Sequence, residues 1–168
     1  MEIKVSDHND FDEIFRLYRL ATAYQKTKFH AHWPEFESTL VKNEIDEKRQ
    51  WKLVDQEKIA FVWAITYDDP LIWEERNDDP AMYLHRIAVN PDYRGQKMVK
   101  TVISWAIHHA KSHQKKFLRM DTVGDNQKLI SYYKSCGFDF LGLSKLKRTT
   151  GLPEHYQNAV VSLFEIKF

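Results

Sequence analysis

Seven consecutive residues, Ile59-Ala60-Phe61-Val62-Trp63-Ala64-Ile65, carry no charged side chain. A strand with one wet face alternates apolar and polar residues; this run is apolar on both faces. It therefore reads as a central strand covered on each side. Such a strand needs a sheet around it and helices to bury the two faces.

The flanking sequence supplies those parts. Trp51 to Val54 and Lys58 to Tyr67 read as a strand pair joined by Asp55-Gln56-Glu57. Ile3 to Val5 is a short strand, and Asn9 or Asp10 can cap a helix with Phe11, Ile14, Phe15, Tyr18 and Ala21 on one face. Pro34 suits the first turn of a second helix running to about Arg49, with Leu40, Val41 and Ile45 as its buried stripe. Asp68-Asp69-Pro70 and Asn77-Asp78-Asp79-Pro80 bracket an excursion. Ala81 to Val89 is a strand, about Met98 to His113 a helix, and Phe117 to Val123 a strand. Asn126 to Cys136 is a helix, and Phe138 to Leu143 and Ala159 to Phe168 are strands. The expected fold is α/β: a mixed sheet of six or seven strands with helices on both faces, in one domain covering residues 1–168. A final apolar strand, Val160 to Phe164, offers an edge for pairing with a second subunit as a homodimer.

Composition removes several functions. Lys plus Arg number 25 and Asp plus Glu 24, so no global field gathers nucleic acid or an anionic membrane. No stretch approaches the roughly 20 apolar residues of a membrane span, and no apolar leader is legible at the N-terminus. A single cysteine, Cys136, makes no internal disulfide, and the default is a reducing, cytoplasmic setting. No Cys or carboxylate set completes a metal site around His109 and His113, where a solvated helix face is the plainer reading, and no metal is expected.

An anionic ligand must then be held locally. Ile87-Ala88-Val89-Asn90-Pro91-Asp92-Tyr93-Arg94-Gly95-Gln96-Lys97-Met98-Val99-Lys100 is a strand end, a turn and a helix start. Such a corner aims unpaired backbone N–H groups and the positive end of a helix at one spot. Arg94, Lys97 and Lys100 add cationic charge, and a diphosphate is the fitting guest. Taken alone, the same corner is also ordinary architecture.

Downstream, Asn126-x-x-Leu129-Ile130-x-x-Tyr133-x-x-x-Gly137-Phe138 has a local account. Asn126 caps a helix, Gly137 ends it in left-handed geometry and Phe138 opens a strand. Tyr133 fits a half-buried core position equally well.

Together the two segments resemble the GNAT superfamily of acetyl-CoA-dependent N-acetyltransferases. Arg94 matches the first position of its Arg/Gln-x-x-Gly-x-Gly/Ala loop, Val89-x-Pro91 and Gly95 fit that loop's common surroundings, and the second segment matches its Asn-x-x-Ala-x-x-x-Tyr-x-x-x-Gly-Phe pattern in spacing. Lys97 stands where the family usually has glycine, and Val99 where it has glycine or alanine. The resemblance implies a GNAT-like sheet, acetyl-CoA as acyl donor, and direct attack of an amine on the thioester in a ternary complex. It implies that Ile87, Ala88 and Val89 hold the pantetheine arm and polarise the carbonyl. Arg94, Gly95, Gln96, Lys97, Met98, Val99 and Lys100 would hold the phosphates, with Asn126 and Tyr133 also on the cofactor. Tyr133 is the implied general acid for the leaving thiolate. His85, on the strand with Tyr83, is the first candidate base, although a strand histidine is more often a packing residue. The expected acceptor is a small-molecule amine; a protein N-terminus or lysine is the alternative. A degenerate acyl-CoA-binding module acting through protein contacts is the reading that Lys97 and Val99 keep open. Tyr24, Phe29 and Trp33 fall where the family builds its acceptor pocket, and core packing explains them as well.

Overall fold

The computed structural model describes residues 1–168. The apolar run occupies β3 (Lys58–Thr66), and each residue from Ile59 to Ile65 is buried. Around it come β1 (Glu2–Val5), α1 (Phe11–Lys28), α2 (Ser38–Asp46) and β2 (Gln50–Asp55). After β3 follow α3 (Pro70–Trp73), β4 (Ala81–Val89), α4 (Val99–Ser112), β5 (Phe117–Val123), α5 (Gln127–Ser135), β6 (Asp139–Lys145) and β7 (Val160–Lys167). The strands form a seven-stranded sheet in the order β1-β2-β3-β4-β5-β7-β6. It is mixed, as expected: β4 and β5 run parallel, whereas β1–β2, β2–β3, β5–β7 and β6–β7 are antiparallel.

The chain forms two compact units, Met1–Ile65 with His85–Met98, and Thr66–Leu84 with Val99–Phe168. In the first, Ile14, Leu17 and Tyr18 of α1 and Val41 and Ile45 of α2 pack with Ile59 and Val62 of β3 and Ala88 of β4. Each fully buried large side chain of this kind stabilises by about 1.5–3 kcal/mol. The second unit has its own cluster of Ile72, Trp73, Ala81, Tyr83, Tyr156, Val161 and Leu163.

Three expectations change. The second helix begins at Ser38, not at Pro34, and ends at Asp46. Residues before proline favour extended backbone, and here Trp33 and Phe36 both lay their rings against Tyr18, at 5.9 and 5.4 Å. Those contacts are made from a segment without regular secondary structure, and the helix waits for Ser38. At its other end Lys48 turns left-handed (φ 57°), so the helix does not reach Arg49. Secondly, Asp10 stands at the N-cap of α1 as expected but makes no side-chain cap hydrogen bond there; with Asp7 it forms a reciprocal capping box around the short turn that leads into the helix. Thirdly, β7 is no edge. It pairs with β5 from Phe117↔Lys167 to Val123↔Val161, and with β6 along its other side. Val161, Ser162, Leu163 and Phe164 are buried, which suits an interior strand, while β6 is more exposed and takes the rim. The edge that would have paired with a second subunit is therefore occupied.

Candidate active site

In the first unit the polar machinery starts inside β4. Arg86 has φ 50°, a left-handed conformation in the middle of a strand. A non-glycine residue held there costs on the order of 1–3 kcal/mol and persists only when its surroundings fix it. Its side chain does so: the guanidinium pairs with buried Glu44 of α2 and lies over the rings of Phe36 and Tyr18, at 5.3 and 6.0 Å. Burial works against the Arg86 charge, but Tyr18 and Glu44 overcome it and raise its pKa above the ordinary arginine value. The sequence held a signal for this pair. Glu44 falls on the Val41–Ile45 stripe of α2, and Arg86 interrupts an apolar strand.

The turn after β4 is strapped to its own unit. Asn90 is buried; its Nδ2 donates to the Ile59 carbonyl at 3.0 Å, and its backbone N–H to the Ala60 carbonyl at 2.9 Å. Asp92 pairs with Lys58, a contact that lowers the Asp92 pKa and raises that of Lys58 through the hydrogen bond first and the charge second. Tyr93 Oη donates to Asp55 at 3.1 Å. Gly95 then takes φ 80° and Lys97 φ 56°. Around Gly95 there is open space where a Cβ would stand, so backbone conformation alone calls for glycine there. Lys97 adopts the left-handed geometry in which glycine is at ease, at a cost of roughly 1–2 kcal/mol. Its N–H direction is thus the one a glycine would give.

Arg94, Gly95, Gln96 and Lys97 are exposed, while Met98 is buried. Because Lys58 already neutralises Asp92, Arg94 and Lys97 leave this turn with uncompensated positive charge. The Arg94 guanidinium carbon lies 4.4 Å above the centroid of the Tyr24 ring. Tyr24 is therefore tied to the turn, whereas Trp33 belongs with Tyr18 and Phe36 at the core. Ile87, Ala88 and Val89 lead directly into this turn. His85 precedes them in β4 and is half-buried.

In the second unit Val99 and Lys100 open α4. Asn126 caps α5 as its position suggested, Oδ1 accepting from the Leu129 N–H at 3.1 Å. Gly137 ends that helix with φ 105°, and the Phe138 N–H closes back on the Tyr133 carbonyl at 3.2 Å. The Tyr133 ring is set by other rings: Phe164 at 5.4 Å, Tyr132 at 5.4 Å and Phe138 at 6.1 Å. Burial pushes the Tyr133 phenol well above its ordinary pKa, so it keeps its proton at physiological pH. Tyr132 is pushed up to about 12, by burial first and by Cys136 second.

Sequence reasoning passed over Asp121, a carboxylate on β5. It accepts from Tyr156 Oη at 2.8 Å, and one of its oxygens lies within 4.8 Å of one from buried Asp69. A carboxylate directly after the buried run Leu118-Arg119-Met120 of the strand was the available clue. His109 also differs from the expected solvated face. It is half-buried, stacks on Trp105 at 4.9 Å and shares a 3.0 Å hydrogen bond with Tyr67 Oη.

Residues 11–138 match the acetyltransferase (GNAT) family. The chain belongs to the GNAT acetyltransferase family. An uncharacterized N-acetyltransferase of Bacillus subtilis, YesJ, is 32% identical over 91 residues, 52% of this chain and 51% of that protein; the match spans about half of the relative's length. Among solved structures, a GNAT-family acetyltransferase of Listeria monocytogenes superposes with a TM-score of 0.79 at 20% identity, covering 99% of this chain and 94% of that one. A ribosomal-protein-alanine N-acetyltransferase of Brucella melitensis gives 0.71 at 12% identity, with 100% of each chain covered. At such identities the likeness speaks for the GNAT fold, and the acceptor must be argued from this chain's own residues.

Proposed function

We propose that this chain is a cytoplasmic N-acetyltransferase that moves an acetyl group from acetyl-CoA to the primary amine of a small molecule. The observation that carries the reading is the turn from Asn90 to Met98. Two left-handed residues, Gly95 and Lys97, fall within it, and its Arg94 and Lys97 charges are unneutralised. That combination suits a diphosphate, which needs converging N–H donors and positive charge together. Lys97 keeps the glycine-like backbone angle, which favours an active donor site over a degenerate binding module.

In this reading Arg94, Gly95, Gln96, Lys97 and Met98, with Val99 and Lys100, take the phosphates, and Asn126 offers its Nδ2 donors. Ile87, Ala88 and Val89 supply backbone N–H groups to the pantetheine arm and the thioester carbonyl. The neutral amine attacks the thioester carbon; a C–N bond forms and the C–S bond breaks. The departing sulfur takes the Tyr133 proton, and the proton lost from nitrogen goes to His85. A phenol with a raised pKa is a reliable proton carrier but a weak acid. Its transfer therefore depends on the thiolate being equally poorly solvated. Asp121, held by Tyr156, is the second group able to receive a proton.

Calorimetry with acetyl-CoA followed by a thiol-release assay over a panel of small amines and N-terminal peptides tests this. Amine-dependent CoA release is the expected result. Tight binding with no release from any acceptor overturns catalysis in favour of a binding module, and release with peptides alone overturns the small-amine acceptor. The base is separated by pH profiles. An acidic limb that is lost in His85→Ala but kept in Asp121→Asn assigns the base to His85, and the reverse assigns it to Asp121.

A further inference from the structure

Tyr24 stands in the last turns of α1, well away in sequence from either motif, and the residue is 42% exposed. The end of that helix is firmly placed. Thr27 Oγ1 donates to the Tyr24 carbonyl at 2.7 Å, the Phe29 N–H closes on Gln25 at 2.7 Å, and Gln25 Oε1 accepts from the Trp33 N–H at 2.8 Å. Trp33 is half-buried and packs against the core of the unit. Tyr24 also meets Phe29 edge-on at 6.5 Å, which steadies its ring. Over this ring lies Arg94, 4.4 Å from the centroid.

A guanidinium stacked through its face spends none of its in-plane N–H donors. Arg94 carries no ion pair to a protein carboxylate, so those donors remain for a ligand. An exposed arginine without such a platform samples many rotamers and must give them up on binding. We propose that Tyr24 is a positioning residue for the donor site. It holds the Arg94 fork ready for the diphosphate of the acyl-CoA, so that the end of α1 takes part in donor affinity. The proposal rests on the donor reading of the turn given above, and it adds a residue that neither motif contains.

The test is isothermal calorimetry with two probes, CoA and pantetheine, the second lacking the diphosphate. The proteins are wild type, Tyr24→Ala, Tyr24→Phe, Arg94→Ala and the Tyr24→Ala/Arg94→Ala double variant. Tyr24→Ala should weaken CoA about threefold, the size expected of an exposed cation–π contact, and leave pantetheine unchanged. Tyr24→Phe, which keeps the ring, should restore wild-type affinity for CoA. In the Arg94→Ala background, removing Tyr24 should cost nothing further. The proposal is overturned if Tyr24→Ala binds CoA as well as wild type or better, if pantetheine weakens in step, if Tyr24→Phe behaves like Tyr24→Ala, or if the two losses simply add. Failure of the wild-type protein itself to bind CoA is a different result, and it overturns the donor reading of the turn.

Discussion

The two units fix the groups proposed for donor binding and proton transfer by opposite means. In the first, the turn after β4 is fixed by polar ties: Asn90 to the Ile59 carbonyl, Asp92 to Lys58, Tyr93 to Asp55, and Arg86 to Glu44 beneath it. In the second, Tyr133 is oriented by the rings of Phe164, Tyr132 and Phe138. On the proposed reading, the difference follows from what each would meet. A diphosphate calls for charge and directed N–H groups that stay wet until the ligand arrives. A proton donor to a thiolate calls for a dry place that keeps the phenol neutral. Exposed charges are screened by salt and titrate; aromatic packing does neither. The halves should therefore fail in different ways.

The largest effect belongs to the apolar half. Tyr133→Phe keeps the ring contacts and removes only the hydroxyl. If the phenol is the general acid, turnover should fall by about 10²–10⁴-fold with acetyl-CoA affinity nearly unchanged. A variant that keeps its rate would reduce Tyr133 to a core residue and leave the comparison without a catalytic side. Next is the buried tie in the first unit. Glu44→Ala strands the Arg86 charge, and loss of one partner of a buried ion pair costs about 3–5 kcal/mol. Urea unfolding should show that loss, and Glu44→Ala/Arg86→Met should recover most of it because no charge is then left unpaired. Arg94→Ala follows. Losing one charged hydrogen-bond donor to a phosphate, about 1.5–3 kcal/mol, should weaken CoA by about 10- to 100-fold. Titration at two ionic strengths should show a shallower salt dependence than wild type. An unaltered salt dependence would mean that the turn binds no phosphate through Arg94.

How much of this could be read in the chain beforehand also divides along the same line. β3 was legible because seven apolar residues in a row have only one common explanation, and α5 because Asn126 and Gly137 mark its two ends. The turn was legible as a motif, yet the left-handed angle at Lys97 was not, since nothing about a lysine announces φ 56°. Contacts between residues far apart in sequence were the least visible. Glu44 with Arg86, Tyr24 with Arg94 and Tyr156 with Asp121 are each brought together by tertiary packing, which local periodicity does not encode. The start of α2 was misplaced for the same reason. Pro34 signals a helix start locally, whereas the rings of Trp33 and Phe36 pay more by packing on Tyr18. The strand order suffered likewise, because placing β7 between β5 and β6 depends on which face of each strand is finally buried.

The smallest effect sharpens the contrast from within the apolar half. His109 is the histidine of α4 whose pKa is depressed, to about 4, by burial first and by the neighbouring His113 and His108 second. Its ring lies on Trp105, bonds to Tyr67 Oη, and faces His113 at a centroid distance of 4.2 Å, with Lys115 over the same Tyr67. The unfolded chain returns this group to about 6.5, so as pH falls below that value the unfolded state binds the proton first. Stability should therefore be undisturbed by this group above pH 6.5, decline as pH falls, and level off once the folded His109 also titrates near pH 4. With the ring only half-buried, solvent screening brings the loss to about 1 kcal/mol rather than the full value of the shift. His109→Gln keeps a hydrogen-bonding partner for Tyr67 and removes the titration. Thermal melts between pH 7 and 4 should then show a shallower decline than wild type. An identical slope would mean that His109 charges freely in the folded protein, and the second unit would owe its acid sensitivity to other groups.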